Sequence, residues 1–579
     1  MRTARDIVSD FGENLADLSG GITKLAKSSE KNSERNCHRL MVHRFKLSMP
    51  IDHHFLDTND DGPQVPILRF RDWMKMLLDH NCWHLLSGLV RPDEKREASI
   101  WTAFWKNFEQ QVPQHPIFVR ARSGEVCLER CVAVVAHGDE GRSKKKSAFL
   151  VINVHSVLGR GIQPGLRQDK KRHYNKMLPN FLGHSYTTRF LFTALPKSDY
   201  TGANSYVFDN LMTYLAEELS YVQLEGVEDS VRKKKFWAVC LGITGDWPWL
   251  AKCGNLQRSF SNVSKHADSG GGNRRPCGGI CHLCRAGQPD VPFEEVNTKN
   301  PRWKQTVLEQ SPFGGEIPFE IVPHPTDELP YFFHFDLFHV WHLGVGRNFL
   351  GSALALLSKL ENGGNVDLRF QQLSDKYLTW CSENGRTAHI QKLTKEHIGW
   401  QSTTTYPTAA WHKGDLTTSL MLFVQSRFEA ERWDGMLGDV GEAAVAINRY
   451  ITTMFESDAW LSAEQAATAT GHGLRFLRRY NKMALESLGR GDRLWIMHPK
   501  IHALHHLLIH MSDAADRGGP VLNVLCTSVQ MDEDFIGRGS RLSRHVASGS
   551  TTSLRVVERY LQAVYAKFIE CGYLVRAKE

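Results

Sequence analysis

No apolar run in this chain approaches the roughly 18–20 residues that span a bilayer, which excludes a helical membrane protein. The N-terminus, MRTARDIVSDFGENL, is charged and lacks the apolar centre of a secretory signal, so export is not expected. Clustered cysteine is scarce too. Twelve cysteines are spread over 579 residues, and only one tight group, at 277–284, stands out. In a chain without a signal this argues against a disulfide framework and for reduced thiols plus one metal site. No internal repeat recurs at a fixed period.

What is present is length and local basicity. A chain of 579 residues can bury a large core and is expected to form two to four domains. Its 41% hydrophobic and 23% charged content is ordinary for a globular protein. The net charge of +8 is concentrated in runs at 142–146, 170–173, 232–235 and 274–275. Such runs suit a polyanion; the plainer reading of any one of them is a solvated loop.

The texture of the sequence changes along its length. Residues 1–60 are polar and expected to be poorly ordered. Residues 61–125 carry Trp, Leu and Phe at helical spacing, which predicts a small helical domain. From 126 to 260, CVAVVAHGDEG, SAFLVINVHSVLG and TTRFLFTALP read as strands. The amphipathic stretch SYVFDNLMTYLAEELSYVQLEGV and a further strand, FWAVCLGITGD, complete an expected α/β core of mixed sheet. Residues 261–300 read as a flexible loop with a cysteine knuckle, 301–520 as helical, and 521–579 as closing helices.

Four constellations bear chemistry. Asp139 and Asp246 each sit at the expected tip of a strand, where two carboxylates could share divalent cations; Mg2+ favours hard oxygen ligands and leaves positions open for phosphate. The alternative for Asp139 is an exposed Gly-Asp-Glu-Gly turn. In FHFDLFHVWHLGVG, Asp336 and His339 share a helical face and His342 follows, which implies either a buried, satisfied network or metal ligation. Cys277, Cys281, His282 and Cys284 form the knuckle, with Cys253 and His266 upstream; soft N/S ligands on a Gly-rich turn suit structural Zn2+. The fourth ligand is unassigned, and the alternative is small cysteines packing a turn. Last, Asp532, Glu533 and Asp534 precede Arg538, Arg541 and Arg544. They read either as a helix N-terminus with complementary cations or as a metal-binding acid followed by phosphate-contacting arginines.

Taken together, GITGDWPWLAKCGNL, the cysteine knuckle, Asp336-Leu-Phe-His339 with its trailing HLGVG, and a late acidic helix resemble a DDE transposase of the RNase H-like kind, nearest to CACTA-type transposases. The resemblance spans roughly residues 127–550 and is most specific over 236–350. It implies an RNase H-like mixed-sheet core interrupted by a zinc-knuckle insertion and a large helical insertion. It also implies Asp139, Asp246 and Glu533 as catalytic acids holding Mg2+ or Mn2+, with Glu140, Asp532 and Asp534 as alternative outer acids. Zn2+ would sit at Cys277, Cys281, His282 and Cys284, and Asp336, His339 and His342 would support the core. Lys144, Lys145, Lys146, Lys233, Lys234, Arg538, Arg541 and Arg544 would meet DNA. The implied activity is cation-dependent DNA cleavage and strand transfer at transposon ends, in the nucleus or nucleo-cytoplasm, by a homo-oligomer on DNA ends. No N-terminal zinc-finger module is visible, and residues 1–120 resemble no named module. An intact core, a truncated copy and an inactive DNA-binding descendant all remain consistent with the sequence.

Overall fold

The structure, a computed structural model, describes residues 4–5, 8–9, 20–27, 33–60, 62–144, 147–162, 177–263, 278–402, 404–547, 549 and 551–575. Lys145, Lys146, His266, Cys277 and the basic runs at 170–173 and 274–275 lie outside the described residues.

Among the helices before the sheet are α1 (Phe70–Asp79), α2 (Glu94–Gln111) and α3 (Pro116–Arg122). They do not stand apart from it. Trp73 Nε1 donates to the Leu191 carbonyl at 2.9 Å and Trp105 Nε1 to the Cys131 carbonyl at 2.8 Å. These tryptophans belong to the same apolar core as the strands.

Five strands make a mixed sheet: β1 (Cys131–Arg142), β2 (Ala148–Ser156), β3 (Phe190–Pro196), β4 (Val227–Glu228) and β5 (Lys235–Thr244), in the order β3-β2-β1-β5-β4. β1 pairs antiparallel with β2, as β2 does with β3, while β1 and β5 run parallel. Residues 131–138 are buried without interruption. Both faces are covered, which is why this strand reads as a continuous apolar run rather than an alternation. On one face lie α4 (Ser205–Leu224) and α5 (Trp247–Cys253), where Phe208 and Trp249 meet at 6.0 Å between ring centroids.

Helices dominate from 338 onward. A π-helix, Phe338–Val345, runs directly into α6 (Gly346–Leu357). It is followed by α7 (Val366–Glu383), α8 (Gly414–Glu431), α9 (Gly435–Glu456), α10 (Ala463–Gly489) and α11 (Pro499–Asp516). They share a second apolar core with the segment around Ile280, Cys281 and Trp303. The closing helices, α12 (Gln530–Arg544) and α13 (Thr552–Glu570), return to the sheet and cover its other face. Among the described residues no helix is long and apolar enough to cross a membrane.

The register positions the site. β1 pairs with β5 only as far as His137 opposite Thr244, whereas its pairing with β2 continues to Arg142 opposite Ala148. Beyond Thr244 one flank of β1 is therefore open. Next to the end of β5, Phe333 makes a single parallel bridge to Ile243, and His334 N donates to the Ile243 carbonyl at 2.9 Å.

Candidate active site and metal centre

Asp139 lies inside β1, paired with Val151, and not in an exposed turn. Side chains alternate along a strand, so His137, Asp139 and Gly141 share a face. A Cβ at Gly141 would lie 2.1 Å from Ser540 Oγ, so that face is the one covered by α12. Glu140 points the other way and accepts the Tyr200 hydroxyl at 2.7 Å. Asp139, not Glu140, is the acid turned toward α12.

Asp246 opens α5. Its Oδ1 accepts the Trp249 N–H at 2.7 Å, an N-cap bond, and Pro248 follows in the first turn. The glycine before it is required: at φ +153° a Cβ on Gly245 would sit 2.5 Å from Trp249 Cδ1 and 2.9 Å from the Gly138 carbonyl oxygen. Trp249 in turn lies over Gly138. GITGDWPW thus encodes strand, close approach, cap and helix start in sequence.

The three consecutive acids of α12 separate, because successive residues of a helix are about 100° apart. Asp532 is fully buried, 3.2 Å from His155 Nδ1 and 3.4 Å from Arg189 Nη2. His155, Arg189 and His137 overcome the cost of burial and hold its carboxyl far below the ordinary range. Asp534 accepts from Ser185 Oγ and Arg538 Nε, each at 2.7 Å. Glu533 alone faces Asp139.

Between these two acids stands His339, in the first turn of the π-helix. Asp336 is buried and accepts five hydrogen bonds. Two come from the Phe338 and His339 backbone N–H groups at 3.0 and 2.8 Å, and one from His339 Nδ1 at 2.8 Å. The others come from Ser528 Oγ at 2.9 Å and Val529 N at 3.1 Å. One carboxylate therefore ties the start of the π-helix to the approach to α12. His339 Nε2 lies 3.4 Å from Glu533 Oε1. One ligand atom each from Asp139, His339 and Glu533 fall within 4.8 Å of one another. Asp246 is not a member of that close group, although its charge acts on Asp139. His342 is separate: it packs on Phe338 and Phe455, and burial pushes it down to about 4.

Burial and neighbouring charge set the electrostatics of this cluster. Burial pushes Asp139 up to about 6, and Asp246 adds to the rise. Burial likewise pushes Glu533 up to about 7, with Asp139, Asp336 and Asp532 adding and His339 opposing. Burial would lower His339, but the Asp336 hydrogen bond and charge, with Glu533, hold it up at about 9. Lys500, near the start of α11, is pushed down to about 8 by burial and by Arg347, against the pull of Asp246 and Asp336. Sequence reading singled out neither Lys500 nor Arg347.

The thiols of the knuckle find partners in α11. Cys281, Cys284, His502 and His506 form a buried Cys2His2-like group that can hold zinc, with all ligand atoms within 4.8 Å of one another. Cys284 Sγ lies 3.4 Å from His502 Nε2 and 3.3 Å from His506 Nε2. Tetrahedral zinc with bonds of about 2.3 Å to sulfur and 2.05 Å to nitrogen sets such pairs roughly 3.6 Å apart, so the donor set fits. Despite burial, Cys281 is held well below its ordinary value by the Cys284 hydrogen bond and by His506 and His502. The expected ligand His282 is turned away: its Nε2 contacts the Phe333 carbonyl at 2.8 Å and its ring packs on Phe335 at 4.7 Å. Cys253 is the buried last residue of α5, its Sγ 3.7 Å from the Leu250 carbonyl. The sequence signal for the missing pair is His502-x3-His506, two imidazoles on one helical face.

The basic residues divide. Arg541 and Arg544 are exposed on α12, Arg544 donating to the Arg142 carbonyl at 3.2 and 3.1 Å. Arg538 is paired with Asp534, and Lys144 is exposed near the end of β1. Lys233 and Lys234 precede β5, whose 10 residues carry the chain roughly 30 Å before it reaches Asp246. Lys234 is paired there with Glu94, and Arg232 lies 3.6 Å from Asp229. That run belongs to the far end of the strand from the acids.

No protein-family model matches the chain, and no curated protein matches it.

Proposed function

We propose that this chain is a transposase-type enzyme of RNase H-like architecture, cutting and joining DNA at transposon ends with divalent cations. The observation that carries the proposal is the convergence of Asp139, from β1, with Glu533, from α12, beside the point where β5 gives way to Asp246. An acid on the first strand, one after a neighbouring strand and one on a closing helix is the order that the resemblance to CACTA-type transposases implies.

The acids fit a divalent cation. Glu533 Oε1 is buried without a hydrogen-bond partner, and burial disfavours the charges on both carboxylates until a cation compensates them. Bound by Asp139 and Glu533, with Asp246 alongside, such a cation supplies charge for a phosphate and a more acidic water. The chain's own residues do the rest. Asp336 fixes His339 and the entry to α12, Lys500 offers an ammonium to a phosphate oxygen, and Arg541 and Arg544 reach toward the DNA backbone. Zinc at Cys281, Cys284, His502 and His506 is structural in this reading, locking α11 so that Lys500 stays near the acids. DNA is the partner, held by a homo-oligomer at the element ends, and the working compartment is the nucleus or nucleo-cytoplasm.

The test is cation-dependent nicking of DNA carrying the flanking repeats of the coding region. Asp139→Asn and Glu533→Gln should abolish nicking and leave DNA affinity intact. A second reading, an inactive DNA-binding descendant, is favoured by Asp246: one of its oxygens caps α5, and it lies outside the close group. DNA binding by the native chain with no nicking in Mg2+ or Mn2+ would establish that reading instead.

A further inference from the structure

A divalent cation between Asp139 and Glu533 would meet a third donor that is not a carboxylate. We propose that His339 Nε2 is a direct ligand of that cation, giving a centre of two carboxylates and one imidazole that prefers Mn2+ to Mg2+. This rests on the reading of Asp139 and Glu533 as cation ligands and goes beyond it in naming the third ligand and the metal preference.

Geometry comes first. With bonds of about 2.1 Å, two ligands of one ion stand roughly 3 to 4.2 Å apart. His339 Nε2 and Glu533 Oε1 are 3.4 Å apart, and the three residues' ligand atoms all fall within 4.8 Å. Asp246, by contrast, is outside this set.

The second argument is how the ring is held. A metal-bound histidine usually donates its other ring N–H to a carboxylate, which fixes the tautomer and aims the free nitrogen at the ion. His339 Nδ1 lies 2.8 Å from Asp336 Oδ2. Asp336 is itself fixed by Phe338 N, His339 N, Ser528 Oγ and Val529 N. That leaves Nε2 as the nitrogen facing Glu533.

The third is an unmet need. Glu533 Oε1 is buried and has no hydrogen-bond partner, although His339 Nε2 is its near neighbour. An ion placed among them meets that oxygen and takes the place of the proton on His339 Nε2, which otherwise pairs with Glu533. An imidazole ligand then sets the preference: Mg2+ takes oxygen donors almost exclusively, while later divalent ions accept imidazole.

The experiment is pulsed electron paramagnetic resonance of Mn2+ bound to the full, zinc-loaded chain, with Mn2+ and Mg2+ affinities measured by titration calorimetry. Native protein should show nitrogen modulation from a coordinated imidazole. His339→Asn should lose that modulation and weaken Mn2+ binding more than Mg2+ binding. Asp336→Asn should weaken Mn2+ by about ten- to a hundredfold while keeping the modulation. Zinc content and the thermal midpoint of each variant establish that it is folded. Mn2+ bound in a manner lost in Glu533→Gln, but with no nitrogen modulation, overturns the proposal and leaves the cation reading of the acids standing. Mn2+ binding unaffected by Glu533→Gln and Asp139→Asn overturns both. Nitrogen modulation in a protein that never nicks DNA upholds the centre and overturns only the enzymatic reading.

Discussion

Arg189 and Asp532 meet inside the protein, with Nη2 to Oδ2 and Nε to Oδ1 both at 3.4 Å and neither side chain more than 1% exposed. The pair fixes α12 against the sheet one residue before Glu533. Asp532→Ala leaves a buried guanidinium uncompensated and should cost about 3–5 kcal/mol in chemical denaturation. Asp534→Ala removes a half-exposed partner of Arg538 and should cost no more than about 1 kcal/mol. Equal losses in the two variants would mean that the buried pair does not anchor the helix.

Zinc should be present at one ion per chain and should matter to the helical core. Cys284→Ser and His506→Ala should each lower bound zinc, read by atomic emission, and lower the thermal midpoint. His282→Ala should leave the zinc content unchanged, because that ring faces the Phe333 carbonyl.

Without a divalent cation, the contribution of Asp139 and Glu533 to stability should fall as pH rises. Asp139 and Glu533 have ordinary values of 3.8 and 4.5 and are pushed up to about 6 and 7. Well below their ordinary values, under about pH 3, both are neutral folded or unfolded and contribute nothing. Between there and pH 7 the unfolded chain sheds these protons more readily, so the folded state loses ground. Added Mn2+ should therefore raise the thermal midpoint more at pH 8 than at pH 5. An equal rise at both would count against a cation at these carboxylates.

DNA affinity should separate the two basic regions. Arg541→Gln, Arg544→Gln and Lys500→Gln should each weaken binding and reduce the salt slope by about one. Lys233→Gln and Lys234→Gln, at the far end of β5, should change neither quantity.

How much of this could be read from residues alone depends on the range of the interaction. Asp246 was legible because its neighbours explain it locally: glycine for a close approach, acid for a cap, proline for a first turn. Asp336 and His339 were legible as a pair for the same reason, although the turn that carries them is a π-helix, which the i, i+3 spacing does not distinguish. Asp139 was ambiguous because Gly-Asp-Glu-Gly is turn chemistry. Pairing with β2 keeps it extended, and pairing is not a local property. The choice among Asp532, Glu533 and Asp534 was not legible at all, since it depends on Arg189, His155 and Ser185 arriving from the sheet side. The same distance hid His502 and His506. The cysteines announce a metal site, but their partners sit in a histidine-rich helix whose apolar rhythm reads as core. Basic runs are hard to place for another reason: like charge is visible in sequence, but the end of the strand it occupies is not.

The bridge made by Phe333 bears on how copies of this chain can meet. An open strand edge invites another chain to pair with it. Along β5 three backbone groups that β1 does not take are already engaged. Cys240 N–H goes to Gln223 Oε1 at 3.2 Å, the Leu241 carbonyl to His334 Nε2 at 3.0 Å, and the Ile243 carbonyl to His334 N at 2.9 Å. Gln223 and His334 thus act as plugs where a sixth strand would dock. The sheet is protected there from edge-to-edge aggregation, and two copies of this chain cannot pair through those backbone groups.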